Sequence, residues 1–421
     1  MKRYDKYKHT GTPWIGNIPS HWKSKRLRFV CEFRNGYTPS KANPDFWTDG
    51  TIPWYRMEDI RDSGRHLKEA KQYVTEDAVK GGGLFDAGSF ILATTATIGE
   101  HAVLIVDSLA NQQFTNLKIR KSLNAVVDNE FFFYFLYVID DYCKSTTKTA
   151  TFAAVNIDDL KNFEVAIPPL QEQHRIVNYI NNAISTYDAV ISTQERRIAL
   201  LEELKQSVIT EAVTHGINPN ATLRPSGIDW IGNIPQHWEK LRFKNFITLI
   251  TTPSISEQKI GLENIESNSG NFIETDSEYE GNGFEFQVND VVYGKLRPYL
   301  RKVWKATFSG NAVGDFYVFR CKSNSISSFL QYLLLSDGFT KIANSSTFGA
   351  KMPRVSSEFI LSLHYFLPPL SEQQEIVAYI ESKKIKPIDA SIAKAKREIE
   401  LLKELKQSVI TEAVTGKIKV Y

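Results

Sequence analysis

The sequence predicts an α/β protein in which two strand-rich bodies are separated by two long helices packed as an antiparallel coiled coil. The whole is a pseudo-two-fold internal repeat. Three recurrences along the 421 residues predict it. WIGNIP at 14–19 returns at 230–235, and the His21-Trp22 that follows returns as His237-Trp238. IPPLQEQHRIVNYI at 167–180 returns as LPPLSEQQEIVAYI at 367–380. ELKQSVITEAVT at 203–214 returns unchanged at 404–415. Such self-similarity is read before any local motif, because it sets the architecture. The offset drifts from 216 to about 200, so the second body is the shorter.

The segment after each Pro-Pro is predicted helical. Proline is tolerated at a helix start and not inside, and Pro168-Pro169 and Pro368-Pro369 mark such starts. Ser371 with Gln374 has the spacing of a capping box. In the first copy an apolar stripe runs Ile176, Ile180, Ile184, Tyr187, Val190 or Ile191, Ile198, Leu201, Leu204, Val208. In the second it runs Ile376, Ile380, Ile385, Ile388, Ile392, Ile399, Leu402, Leu405, Val409. Steps of three and four suit a coiled-coil seam. Gly216 and Gly416 supply the stops. At ~1.5 Å per residue each helix reaches on the order of 60 Å. A helix of that length with one apolar stripe needs a partner. It can pack on its own body, or the two copies can pack on each other; the repeat favours the second. The bodies would then sit at opposite ends of a helical spacer. Pro387 is expected to kink or break the second helix near Lys384–Lys386.

The bodies, 24–165 and 240–365, are rich in Phe, Tyr, Thr, Val and Gly, with short apolar runs between turn residues. They read as strand-dominated α/β, with helices near 128–143 and 326–337. They match only in places. Met57-Glu58-Asp59-Ile60 parallels Leu262-Glu263-Asn264-Ile265, each followed shortly by a glycine, Gly64 and Gly270. Thr151-Phe152 parallels Thr347-Phe348. The scaffold is repeated closely while the displayed faces have diverged.

Composition excludes several classes. With 51 basic and 48 acidic residues, the whole-chain charge is uninformative about partners. Cys31, Cys143 and Cys321 are far apart and form no CxxC, which argues against a disulfide framework or a zinc site and fits a reducing cytoplasm. The opening MKRYDKYKHT lacks the apolar segment of a signal peptide. The longest apolar run, FFFYFLYVI at 131–139, is half a membrane span and reads as a buried helix or strand. The expectation is a cytoplasmic protein with no membrane association.

A search for catalytic constellations is empty. There is no Walker loop and no GxGxxG, and the eight histidines lack metal-ligand spacing. Asn43-Pro44-Asp45-Phe46 differs from an NPP(Y/F) methyltransferase motif at its third residue and reads as a loop turn. A nuclease-like pattern of Asp59 with Glu69-Ala70-Lys71 is of a kind common by chance. No catalytic residue, metal or cofactor is expected.

Basic patches say more. From Val291 to Gly314 there is no acid, while Lys295, Arg297, Arg301, Lys302 and Lys305 occur with Tyr293, Tyr299 and Trp304 between them. Lysine and arginine neutralise phosphates, and arginine also reads guanine edges. In the first body, 34–41 is acid-free, Arg56 follows Trp54-Tyr55, and Thr94-Thr95-Ala96-Thr97 lies beside Gly99. Lys148 precedes the Thr151-Phe152 element, and Lys351 and Arg354 follow its second copy. Any one run reads equally as a solvated face; the recurrence of basic, aromatic and hydroxyl groups at matched places favours DNA.

At this point the chain resembles, over nearly its whole length, the specificity subunits of type I restriction-modification systems. The residues that carry the resemblance are W-IG-IP-HW at 14–22 and 230–238, PPL-EQ--IV at 168–177 and 368–377, and the helix ends at 204–216 and 405–416. GYTPSKANPDFWTDGTIPW at 36–54 and YGKLRPYL at 293–300 are similar to the family's target-recognition domains. The resemblance implies target-recognition domains at 1–165 and 218–366 and spacer helices in 166–217 and 367–421. It implies a bipartite double-stranded DNA target, two methylase subunits held by the helices, and restriction/translocase subunits joining that complex. The specificity subunit has no catalytic centre. Helix length and packing would set the gap between half-sites. Expected DNA contacts are Thr38, Ser40, Lys41, Arg56, Thr94, Thr95 and Lys148 in the first domain. In the second they are Lys295, Arg297, Tyr299, Arg301, Lys351 and Arg354. The competing readings are a chain that itself cuts or methylates DNA, and a non-catalytic two-domain scaffold on a helical strut. A scaffold would show no salt-sensitive DNA binding.

Overall fold

A computed structural model of the chain describes residues 2–146, 154–254, 256–349 and 351–420. The chain divides into two compact units, Met1–Ser192 with Glu398–Tyr421, and Thr193–Arg397. Each unit holds one body, the start of one long helix and the end of the other. The first long helix runs Leu170–His215 without interruption. The second is helical through Leu370–Ala378, Tyr379–Ile385 and Lys386–Val414.

In the first unit, a five-stranded sheet is ordered Cys31–Asn35, Phe114–Ile119, Phe90–Ala93, His101–Leu104, His66–Leu67. Its last pairing is parallel and the others are antiparallel. The apolar run at 131–139 lies in the helix Asn129–Thr146, whose Phe131, Phe132 and Phe135 are buried in the core with Phe90 and Leu117. On the buried face of that helix, Asp140 accepts from Arg65 at 2.9 Å and lies 2.7 Å from His101 Nδ1, with both His101 and Asp140 buried. Burial holds the imidazole below its usual range; His101 and Arg65 outweigh burial at Asp140 and hold its carboxyl low.

The second unit carries two four-stranded sheets. One is ordered Ile247–Ile250, Phe316–Cys321, Val291–Gly294, Val303–Lys305. The other is Pro253–Ser254, Gly283–Phe286, Gly310–Ala312, Lys259–Ile260. The helix Ser327–Leu335 covers the first of these. The matched tetrapeptides do the same job in both units. Asp59 Oδ2 accepts from the Arg56 N–H at 2.7 Å, and Asn264 Oδ1 from the Gly261 N–H at 2.8 Å. Asp59 is buried and also accepts from the Lys71 N–H at 2.8 Å, so it is a turn clasp. Asn43-Pro44-Asp45-Phe46 is likewise a turn, with the Asn43 side chain accepting from the Asp45 N–H. Thr151-Phe152 lies outside the described residues.

Each body is closed at its base by a two-stranded antiparallel ribbon. Lys23–Arg26 pairs with Glu164–Ile167, and Glu239–Arg242 with His364–Leu367. Chain entering and chain leaving the body are thus hydrogen-bonded to each other. The WIGNIP stretches form the second strand of a smaller hairpin, Asn17–Pro19 against Tyr7–His9 and Asn233–Pro235 against Leu223–Pro225. Ile15, Ile18 and Trp22 are fully buried.

The repeated motifs meet in one node per unit. Glu172 is buried; it accepts from the Tyr4 hydroxyl at 2.5 Å and lies 2.9 Å from His21 Nε2. Glu372 lies 2.7 Å from His237 Nε2 and accepts from Trp238 Nε1 at 3.1 Å. The adjacent Gln173 donates to the Val126 and Pro168 carbonyls and accepts from the Asp128 N–H. Gln373 does the same with Asn324, Pro368 and Ile326. Against the first node sits Gly416 at φ +71°, where a Cβ would come within 2.4 Å of Pro19. Gly216, at φ +74°, occupies the matching place beside Trp238. The EQ of one copy and the glycine stop of the other therefore share a node.

Within each unit the long helices run antiparallel. In the first, Lys406 pairs with Asp188 at 2.7 Å, while Ile176 and Ile180 share a core with Ile410, Ala413 and Val414. In the second, Lys205 pairs with Asp389 at 2.8 Å, while Ile376 and Ile380 share a core with Ile209, Ala212 and Val213. Ile191, Ile385, Ile388, Ile392, Ile399 and Val409 are also buried. Ile184, Tyr187, Ile198, Leu201, Val208 and Leu402 are half-buried. Leu204 and Leu405 differ from the sequence expectation: they are 49% and 42% exposed. The stripe has moved one place on, to Lys205 and Ile209 in the first helix, because an α-helix drifts about 20° per heptad against a strict 3.5-residue repeat.

The expected break at Pro387 does not occur. The helix instead widens to a π-helical stretch over Tyr379–Ile385. The physical reason is one extra residue. The repeats are offset by 200 at Ile167/Leu367 and by 201 at Glu203/Glu404. Bonds spanning five residues take up one residue and keep the flanking turns in phase. The stripe shows it as a step of five, from Ile380 to Ile385.

Among the described residues, no helix is long and apolar enough to cross a membrane. Glu172→Ala, which strands His21 and Tyr4, is expected to lower stability by about 1–3 kcal/mol in chemical denaturation. Deleting Lys384 is expected to convert the π-helical stretch to regular α-helix and leave the melting temperature at or above that of the parent. Deleting Ser391, in the regular stretch, turns everything on one side by ~100° relative to the other and is expected to destabilise clearly.

Candidate nucleic-acid interface

In the second unit, the acid-free run forms the hairpin between Val291–Gly294 and Val303–Lys305. Most of its cations are held within the protein. Lys302 donates to the Leu262 and Ile265 carbonyls at 2.7 Å, and burial pushes its ammonium below the usual lysine range. Lys305 donates to Ser328. Arg301 reaches Asp337 at 2.5 Å and Gln206 at 2.6 Å, both within this unit. Lys295 lies 3.8 Å from Asp315 and over the Tyr317 ring. Arg354 grips Asp315 with two bonds, at 2.9 and 2.8 Å, and those bonds hold the Asp315 carboxyl below its usual range. Arg297 is exposed and makes no side-chain bond among the described residues.

The loop beside this hairpin is closed by reciprocal backbone bonds between Phe348 and Arg354. The Arg297 N–H donates to the Pro353 carbonyl at 2.7 Å, tying hairpin and loop together. Phe348, Met352 and Tyr299 expose large apolar surfaces, and Lys351 is exposed among them. Free cations beside exposed rings are the surface a nucleic acid uses, phosphate to cation and base to ring. Sequence reasoning missed Asp315 as the residue that claims Arg354, because the two are 39 residues apart. It missed Met352 because a lone methionine in a loop carries no pattern.

In the first unit, the matching hairpin joins Phe90–Ala93 to His101–Leu104. Thr94 is buried and bonds Thr115 at 3.0 Å; Thr95 is half-buried opposite Ala154. Ala96 is exposed between them and Thr97. Thr38 donates to Gln112 at 2.5 Å. Ser40 and Lys41 are exposed, and Lys41 has no side-chain partner among the described residues. Arg56 is paired with Glu58 and stacked over Trp54. Arg34 donates to the Gly83 and Leu84 carbonyls, so it braces the loop beneath. Lys148 lies outside the described residues. Among the described residues, no group of His, Cys, Asp and Glu is placed to hold a metal ion.

Comparison with known proteins agrees with this geometry. The family model for the type I restriction modification DNA specificity domain matches twice, at residues 19–203 and 235–401. The type I restriction enzyme EcoprrI specificity subunit of Escherichia coli is 45% identical over 142 residues, about a third of either chain (34% and 35%). The MjaVIII specificity subunit of Methanocaldococcus jannaschii is 23% identical over 96% of this chain and 94% of its own. A solved chain, from work on complex assembly and conformational transition of the type I R-M system, shares the fold with a TM-score of 0.66. It is 17% identical and covers 95% of this chain and 99% of its own length. With the domain present twice and the relatives alike in kind, the chain belongs to the family of type I restriction-modification DNA specificity subunits.

Proposed function

We propose that the two bodies each read one half-site of a bipartite double-stranded DNA target. In this reading residues 1–165 and 218–366 are the target-recognition domains, and 166–217 and 367–421 the spacers. The spacers hold two methylase (modification) subunits, and restriction/translocase subunits join through that complex. The chemistry belongs to those partners; a specificity subunit is the non-catalytic component, and it works in the cytoplasm where the DNA is.

The observation that carries the reading is a repeated frame with different faces. The nodes, basal ribbons and hairpins recur in both units, while the exposed side chains differ. Among the expected contacts, Ser40, Lys41, Arg297, Tyr299 and Lys351 are exposed and available to DNA. Thr38, Arg56, Thr95, Lys295, Arg301 and Arg354 would act with their intramolecular contacts kept or exchanged, whereas Thr94, buried and bonded to Thr115, braces the hairpin and does not face DNA. Docking has its own support. Leu200 and Leu204 are exposed one turn apart on the first long helix, and Leu401 and Leu405 repeat them on the second. One apolar contact uncovered twice suits two copies of one partner.

The test is a methylome. The chain, co-expressed with its methylase subunit in a methylation-free host, is expected to place methyl-adenine in one bipartite motif with a fixed gap. A folded, co-purifying pair that adds no new modification would overturn the proposal. Inserting four residues in one long helix, about 6 Å of rise, is expected to widen the gap and keep both half-sites. The same sequencing reads the gap directly, and an unchanged gap rejects the spacer role.

A further inference from the structure

The two hairpins can be superposed by their hydrogen bonds. The Ala93 N–H donates to Glu100 O and the Gly294 N–H to Lys302 O. The Thr94 N–H donates to Gln113 O and the Lys295 N–H to Asp315 O. The Val155 N–H donates to Thr94 O and the Val355 N–H to Lys295 O. Thr95 faces Ala154 as Leu296 faces Arg354. In this frame Ala96 and Arg297 are the same position, the third residue beyond the strand.

Both are left-handed, at φ +62° and +51°. Non-glycine residues seldom adopt this conformation, and where they do the surroundings must hold them there. The backbone at Arg297 is held on both sides, by Pro353 O accepting from its N–H and by its own carbonyl accepting from the Leu300 N–H at 2.8 Å. Both side chains are exposed, and neither packs into its body. The frame therefore fixes where the side chain starts and leaves its identity open: a methyl in one body, and in the other a guanidinium with no side-chain bond among the described residues.

We propose that this left-handed apex is a base-reading position in each body, filled by Arg297 in the second and left empty of polar atoms by Ala96 in the first. This rests on the reading of the chain as a DNA specificity subunit. A guanidinium on a rigid apex suits bidentate recognition of guanine in the major groove. Tyr299 and Lys351 beside it would contact backbone and fix register.

The experiment compares methylomes of the methylase complex carrying the parent chain, Arg297→Ala, Arg297→Lys and Ala96→Arg. Arg297→Ala is expected to lose discrimination at one position of one half-site, roughly tenfold or more, with the other half-site and the gap unchanged. Ala96→Arg, which keeps a non-glycine residue at an exposed site, is expected to add a preference in the other half-site only. Arg297→Lys is expected to fall between parent and alanine. An unchanged motif in both Arg297→Ala and Ala96→Arg overturns the inference. If Arg297→Ala abolishes methylation, competition binding of the same complex to duplexes substituted one base pair at a time decides. Lost discrimination at one position supports base reading, and uniform weakening assigns Arg297 to phosphate. A parent complex that methylates nothing would instead overturn the proposed function.

Discussion

A glutamate and a glutamine side by side, at the start of each long helix, make the contacts on which each unit depends. The carboxylate of Glu172 or Glu372 holds the histidine of the opening hairpin, and in the second unit the tryptophan as well. The neighbouring amide ties down the carbonyl of the first proline and the loop before the body's helix. Three stretches of chain far apart in sequence converge on two adjacent side chains. Buried polar groups are costly unless paired, so the node favours the arrangement in which glutamate, glutamine and histidine are paired together. That arrangement fixes the direction in which the helix leaves.

The node also explains why the repeat is interleaved. The helix that begins at one node ends against the other, where its glycine stop packs on the opening hairpin of that unit. The two lysine–aspartate pairs show the same exchange. Lys205 and Asp389 in one unit correspond in the repeat to Lys406 and Asp188 in the other, with donor and acceptor helices interchanged. Neither half of the sequence contains a whole unit.

Much of this was legible in the sequence, for a physical reason. The frame is made of recurring residues with narrow roles: proline at a helix start, glycine at a stop, tryptophan in a buried corner, and an apolar stripe. Such residues repeat because the geometry that needs them repeats. The helix Asn129–Thr146 was signalled by its run of aromatics, although periodicity could not separate helix from strand there. The π-helical stretch was visible as a five-residue step, but Pro387 suggested a break because proline usually acts locally. The site was less legible. An acid-free run looks free, yet Asp337 arrives from another segment and claims Arg301, and Asp315, just past the end of the run, claims Arg354 of the neighbouring loop. Ion pairing of this kind depends on tertiary placement, to which a one-dimensional charge pattern is blind. Left-handed backbone at Ala96 and Arg297 has no sequence signal either, since neither is glycine, asparagine or aspartate.

The basal ribbon has a consequence for how such a protein changes over generations. The two strands that lead into and out of each body lie against each other, residue for residue, from Lys23–Ile167 to Arg26–Glu164. The chain of a body therefore enters and leaves the frame at one narrow neck, while the body's helix packs on the long helices beside it. Exchange of the segment between the two neck strands, as one cassette, keeps the long helices and the opening hairpin, provided the incoming body brings the loop backbone that meets Gln173 or Gln373. Near-identical stretches outside the necks, ELKQSVITEAVT above all, offer matching ends for genetic recombination. New target sequences can then be acquired by transplanting a whole body, with no need to rebuild the frame one mutation at a time.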